Sequence, residues 1–259
     1  MQPVVWSVDE RGVATVVLNR PEVNNAYDGS LILGLHEAMD VLGKQTGLRA
    51  VVVKGAGKHF QAGADLKWIN AVRVSSPEEN ERISRATAEA VDRFNKLPLP
   101  TVALVQGFCV GGGTGLLAAA DVVVATEDAK FAISEIRWGL TAAIIIPQLC
   151  DAIGVRQVRR YALTGERFGA AEAHRIGLVH EVVPAAELEA TGERIVKALL
   201  ENAPIAIAET KATALDEAAG QMSVSKFEDL IRSHANKRQS AEAVEGLTSF
   251  AEKRPGKWS

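Results

Sequence analysis

The residues best suited to chemistry lie between Pro100 and Pro147. Gly111-Gly112-Gly113 follows a short apolar strand, Thr101 to Val105, and precedes an Ala/Leu-rich segment, Thr114 to Ala120, long enough for a helix. Three neighbouring residues without a Cβ let the backbone approach a ligand closely. They also stand where a helix start presents N–H groups that have no intrahelical acceptor. A second loop of small residues, Gly55 to Lys67, likewise runs from an apolar strand, Ala50 to Val53, into a helix opening near Asp65. Backbone donors from two such turns can converge on one atom. After a buried strand, Asp121 to Ala125, comes Glu135, a carboxylate with apolar neighbours Phe131, Ile133, Ile136 and Trp138. Donors for a developing negative charge beside one acid point to proton transfer next to a carbonyl group.

Each of these features has a plainer explanation. The glycine cluster alone also fits tight packing of a helix on a sheet, and Glu135 could be a solvated loop acid. The pairing of the two glycine-rich turns, and the apolar setting of Glu135, favour a ligand site. Arg137 is either the ion-pair partner of Glu135 or a receptor for an acidic substrate.

Other chemistries find less support. No G-x-G-x-x-G stands where a strand meets a helix and no G-x-x-x-x-G-K-[ST] occurs, which argues against nucleotide-cofactor redox and phosphoryl transfer. The five histidines, His36, His59, His174, His180 and His234, show no i, i+4 pairing and no adjacent cysteine, so they read as surface or capping residues rather than metal ligands. Ser134 lacks a G-x-S-x-G elbow. Cys109 and Cys150 match no metal or redox spacing and read as reduced thiols of a cytoplasmic protein. The N-terminal residues, MQPVVWSVDERG, do not have the pattern of a signal or transit peptide. With 29 basic against 32 acidic side chains the net charge is −3, which supplies no field for gripping nucleic acid. The uncharged run Val102 to Ala120 carries Gln106 and five glycines and divides into strand, loop and helix, so no membrane span is expected.

The elements that must position these residues follow from periodicity. Val4 to Val8 and Val13 to Leu18 read as a hairpin, and Ser30 to Lys44 as a helix capped by Ser30. Ser76-Pro77-Glu78-Glu79 opens a helix running to Leu97 whose polar surface predicts a mobile cover over the site. Val155 to Leu163 and Gly169 to Ile176 read as short helices and Val179 to Val183 as a strand. Beyond Pro184 the pattern is helical throughout, over Leu188 to Leu200, Ile205 to Ala218, Val224 to His234 and Ala241 to Glu252. Buried parallel-type strands alternating with helices predict an α/β fold or a spiral of ββα turns. At 259 residues, with a hydrophobic fraction of 47%, the chain suits a main domain carrying a helical appendage. The basic stretch Arg254-Pro255-Gly256-Lys257 could serve a phosphate-bearing ligand.

Taken together in order and spacing, these motifs resemble the crotonase superfamily, the enoyl-CoA hydratases and isomerases, over essentially the whole chain. The resemblance is carried by Asn19-Arg20-Pro21-Glu22 with Asn25-Ala26, by His59 to Lys67, by Gln106-Gly107 through Gly113, and by Phe131 to Glu135 followed by Gly139-Leu140. Leu163 to Glu166, Ala170 to Ala173, Gly177-Leu178-Val179 and Phe250 to Arg254 extend it. It implies an α/β fold, a crotonase-like ββα spiral core over residues 1–200 with a C-terminal helical trimerisation domain over residues 201–259, assembled as a trimer or dimer of trimers. It also implies an acyl-CoA thioester as substrate, with no separate cofactor and no metal. The backbone N–H groups of Ala64 and Gly112 would form an oxyanion hole, with Gly111 beside them. Ala26, Ala62, Asp65, Leu66 and Lys67 would line the CoA path, and Phe250 and Lys253 would reach in from a neighbouring subunit.

One departure from the family pattern matters. Its hydratases carry a second glutamate two residues beyond the third glycine, where this chain has Gly115, so Glu135 alone matches. The run Gly-Gly-Gly-x-Gly-Leu followed by Ser-Glu-x-Arg-x-Gly-Leu resembles a bacterial branch acting on branched glutaconyl-CoA esters in leucine and acyclic-terpene degradation. That resemblance implies hydration of 3-methylglutaconyl-CoA or isohexenylglutaconyl-CoA by Glu135. Arg137 or Lys67 would meet the distal carboxylate, and the space at Gly115 would admit the 3-branch. A Δ3,Δ2-enoyl-CoA isomerase, which needs only one carboxylate, and a non-catalytic CoA-ester binding protein remain as alternatives.

Overall fold

The computed structural model describes residues 2–202, 204–219 and 224–254. The hairpin forms as expected, Val4–Val8 (β1) pairing antiparallel with Val13–Leu18 (β2). Beyond it Ala50–Gly55 (β3), Thr101–Val105 (β4), Val122–Thr126 (β6) and Glu181–Val183 (β9) add in parallel, giving the order β1-β2-β3-β4-β6-β9. Their unbroken apolar runs suit strands covered on both faces, and β4 is buried along its whole length. A smaller sheet lies beside this one. Phe108–Val110 (β5) pairs parallel with Lys130–Ala132 (β7), which pairs antiparallel with Phe168–Gly169 (β8).

The spiral comes from repeating one step. β4 turns into β5, which feeds the helix Gly112–Ala118 (α4); β6 turns into β7, which feeds a 3-10 turn, Glu135–Trp138. One step earlier, Gln61 bridges in parallel to Cys109 of β5 before the helix Leu66–Val72 (α2) begins. Each glycine-rich turn is therefore delivered to the same end of the smaller sheet, beyond the C-terminal ends of its parallel segments. Between the layers Phe60, Leu117, Phe131, Ile133 and Leu149 are fully buried, together with Leu18 of β2 and Leu31 and Leu42 of Gly29–Leu42 (α1). Each such side chain contributes about 1.5–3 kcal/mol to holding the layers together.

Several local expectations are corrected. α1 is capped by Asp28, whose carboxylate accepts from the N–H groups of Ser30 and Leu31, while the Ser30 hydroxyl itself donates to Asp28. A charged acceptor one position before the helix displaces a neutral one within it. The helix Pro77–Asn95 (α3), capped by Ser76, is not a mobile cover. It buries Asn80, Ser84, Thr87, Ala88, Ala90, Val91 and Phe94. Its buried polar residues, Asn80, Ser84 and Thr87, are small and fall at helical spacing, so they make a packed face. The helix expected at Val155 starts earlier, as Ile146–Thr164 (α5), with a non-helical Gly154 inside it. Ala170–Arg175 (α6) and Leu188–Leu200 (α7) follow the predicted spans closely.

Past residue 200 come Pro204–Ala219 (α8), Val224–Arg238 (α9) and Ala241–Ala251 (α10). α9 lies along α3, and α10 lies on the Glu135–Trp138 turn, where Phe250 meets Trp138 edge to face at 4.4 Å. Phe250 thus packs against the Glu135–Trp138 turn of its own chain while much of its ring stays exposed. Of the basic stretch Arg254 to Lys257, only Arg254 is among the described residues, and it is paired with Glu245 and Glu252. Among those residues no helix is long and apolar enough to cross a membrane.

Candidate active site

The first donor loop is strung between two hydrogen bonds. Tyr27 N–H donates to Gly63 O at 2.8 Å, and Asp65 N–H donates to Tyr27 O at 2.8 Å. The Ala64 N–H between them has no acceptor among the described residues. Asp65 then caps α2, accepting from Lys67 N–H at 3.0 Å and Trp68 N–H at 3.4 Å, and stands 3.5 Å from Arg20.

The second loop turns on Gly111. Its N–H donates to Ala132 O at 2.8 Å, and its φ of +54° with ψ of −132° aims the next peptide away from the sheet. Gly112 is the first residue of α4, so its N–H lacks an intrahelical acceptor. Among the described residues no other acceptor takes it. A Cβ built on Gly111 would lie 3.2 Å from Glu135 Oε1 and 3.6 Å from Gly63 Cα. Both loops and the carboxyl group therefore meet around one atom's width of space.

Glu135 opens the 3-10 turn, and its Oε2 is buried without a hydrogen-bond partner. Burial disfavours the charged form and pushes its pKa up to about 7. No ion pair with Arg137 opposes this among the described residues. Arg137 is exposed and its Nε donates to Gly165 O at 2.8 Å, so it is not the ion-pair partner of Glu135.

These groups open on a cavity of about 670 Å³. Of the residues expected in the site, Ala62, Ala64, Leu66, Gly111, Gly112, Glu135, Arg137 and Phe250 line it. Ala26, Asp65, Lys67 and Lys253 do not. Ala26 is buried with its carbonyl accepting from Arg20, Asp65 is committed to its cap, and Lys67 and Lys253 point to solvent. The space beyond Gly115 is closed: a Cβ there would lie 2.2 Å from Ile145 Cγ2, so this glycine admits no substrate branch. Gly115→Ala is accordingly expected to cost about 1–3 kcal/mol in denaturant unfolding, with Ile145→Ala in the same chain recovering part of the loss.

Residues that periodicity did not single out also face the cavity. Tyr27 stands against Gly112, and burial together with the nearby Glu135 carboxylate raises its pKa. Thr141 Oγ1 is buried and unpartnered. His234 and Arg238 reach the cavity from α9. Burial, then the neighbouring Arg238 charge, drives the His234 pKa down to about 3, so the ring is neutral. Nor is His59 a surface residue: it is buried, with Nδ1 accepting the Phe108 N–H at 3.0 Å, while the exposed His180 accepts the Val123 N–H at 3.0 Å. Nothing but long-range register could have revealed these uses.

A pair of acceptorless N–H groups facing a carboxyl group that is neutral or ionised near pH 7 can stabilise an oxyanion and move a proton beside it. The chain belongs to the enoyl-CoA hydratase/isomerase family, whose model matches residues 9–259, and members of that family are enzymes acting on CoA thioesters. The fold is the crotonase fold. An enoyl-CoA hydratase/isomerase from Xanthobacter autotrophicus Py2 superposes with a TM-score of 0.89 at 30% identity, covering 96% of this chain and 93% of that one. The hydroxycinnamoyl-CoA hydratase-lyase of Pseudomonas fluorescens is 33% identical over 78% of this chain and 74% of its own length. The carnitinyl-CoA dehydratase of Escherichia coli O157:H7 is 32% identical over 95% of this chain and 94% of its own.

Proposed function

We propose that the protein adds water across the α,β double bond of an acyl-CoA thioester. The Ala64 and Gly112 N–H groups hold the thioester oxygen, and Glu135 serves as base and then as acid. The observation that carries this is the convergence around Gly111 of two free backbone donors and the carboxyl group of Glu135, whose Oε2 is buried without a partner. Ionised Glu135 takes a proton from water as its oxygen bonds to Cβ. The electrons of the double bond move toward the carbonyl, making an enolate that the two amides stabilise. Protonated Glu135 then returns its proton to Cα as the carbonyl reforms. Each donor of this kind contributes about 2.7–4 kcal/mol to the barrier reduction.

Glu135 is the one carboxylate among the described residues lining the cavity. Polar groups of the cavity available to hold the water include Thr141 Oγ1, Gln61 Oε1 and the Tyr27 hydroxyl. The acyl group we assign is a 3-branched glutaconyl, 3-methyl or isohexenyl, its branch lying against Leu31, Ile32, Leu35 and Leu116 rather than in the closed space at Gly115. Having only one acid also favours a second reading, Δ3,Δ2-enoyl-CoA isomerisation, which moves one proton between two carbons. The mostly exposed α8, with Ile205 at its surface, is the face we assign to a trimer or dimer of trimers.

Absorbance of the conjugated thioester separates the two reactions. Its loss on mixing with 3-methylglutaconyl-CoA supports hydration, its appearance from a 3-enoyl-CoA supports isomerisation, and no change with either discards both. For hydration, the free enzyme must begin with Glu135 ionised. kcat/KM should therefore fall as pH drops, with an inflection near the Glu135 pKa of about 7. A flat profile from pH 5.5 to 8.5 would remove Glu135 as the starting base.

A further inference from the structure

The wall of the cavity built by α3 and α9 holds a charge that the hydration steps do not use. Arg238 is 1% exposed, yet it lines the cavity beside Thr87, Ala90, Val91 and His234. Its hydrogen bonds among the described residues leave from Nη2 alone, to Asn80 O at 2.8 Å and to Ser84 Oγ. Its Nε is buried without an acceptor. No carboxylate pairs with it among the described residues, and neutral His234 offers no compensating charge. The other two arginines of the cavity, Arg137 and Arg167, are exposed, so solvent already serves their charge.

A guanidinium taken out of water is costly unless an anion meets it, and its planar fork suits a carboxylate. Tyr27 stands between the two ends of the chamber. Its ring lies against Gly112, and it feels the charges of both Glu135 and Arg238. An acyl chain whose thioester oxygen rests on the Ala64 and Gly112 amides would run past Tyr27 toward the free side of Arg238.

We propose that Arg238 is the receptor for a carboxylate at the distal end of the acyl chain, so that the site selects CoA thioesters of dicarboxylic acids over uncharged esters of equal length. This rests on the thioester reading of the cavity, and it moves the specificity-determining cation from Arg137 to Arg238. The test is equilibrium binding of glutaryl-CoA and valeryl-CoA to the full-length protein, since neither saturated ester can be hydrated. The wild type should bind glutaryl-CoA about tenfold or more tightly, Arg238→Met should lose that preference, and Arg238→Lys should keep part of it. Equal binding of the two esters by the wild type overturns the proposal whether or not Arg238→Met folds. Retention of the preference in Arg238→Met, or its loss in Arg137→Ala instead, also overturns it. Failure of both esters to bind sinks this proposal together with the thioester reading. A preference that depends on Arg238, in a protein that turns over no enoyl ester, keeps the receptor and discards the hydratase and isomerase readings.

Discussion

Glutamine at position 135 is expected to lower kcat about a thousandfold while leaving KM within a fewfold of wild type. The side chain keeps its length and volume, and the buried Oε2 has no partner to lose, so the fold is not disturbed. What disappears is the ability to accept a proton from water and return it to Cα. Stability should change in the opposite direction. The carboxyl pKa is about 7 in the folded chain against 4.5 when exposed, so ionisation opposes folding progressively from pH 4.5 to 7 and fully above that. Glu135→Gln removes this opposition, and its thermal midpoint should exceed wild type at pH 8 and match it near pH 4.5. An enzyme that retains its full rate with glutamine at 135 has some other acid.

Alanine at position 111 should be nearly as damaging, by another route. The backbone there has φ +54° and ψ −132°, a conformation open to glycine and strained for any L side chain. The new Cβ would also stand 3.2 Å from Glu135 Oε1 and 3.6 Å from Gly63 Cα, in the space proposed for the thioester oxygen. Relief of the strain rotates the peptide that carries the Gly112 N–H. Loss of that single donor is expected to reduce kcat about 10²–10³-fold, with about 1–3 kcal/mol lost from the fold. Steady-state kinetics with parallel thermal unfolding checks both, and a kcat within threefold of wild type would show that the Gly112 amide is not aimed at the reacting oxygen.

What could be read from the sequence was what depends on neighbours along the chain. The buried strands, the helix starts at Asp65 and Ser76, the two glycine-rich turns and the apolar setting of Glu135 are all local patterns. The misreadings concern residues whose surroundings are set by distant segments. Arg238 falls beyond the helix expected over Val224 to His234, and it is buried because α9 extends to it and lies along α3, with Ser84 more than 150 residues earlier. Gly115 looked like vacant space because Ile145, which fills it, belongs to another element. Ser84 and Asn80 made α3 look like surface because their partners, Arg238 and Ala235, are on α9. Tyr27 gains its place from the bridge that joins it to Ala64.

The order in which the chamber's walls leave the ribosome follows from α9 and α10. Both amide-bearing turns and the acid are translated before residue 140, whereas the wall carrying His234 and Arg238 and the ring of Phe250 belong to α9 and α10, Val224–Arg238 and Ala241–Ala251. A nascent chain thus carries the two amide-bearing turns and the acid long before α9 and α10 can wall them in.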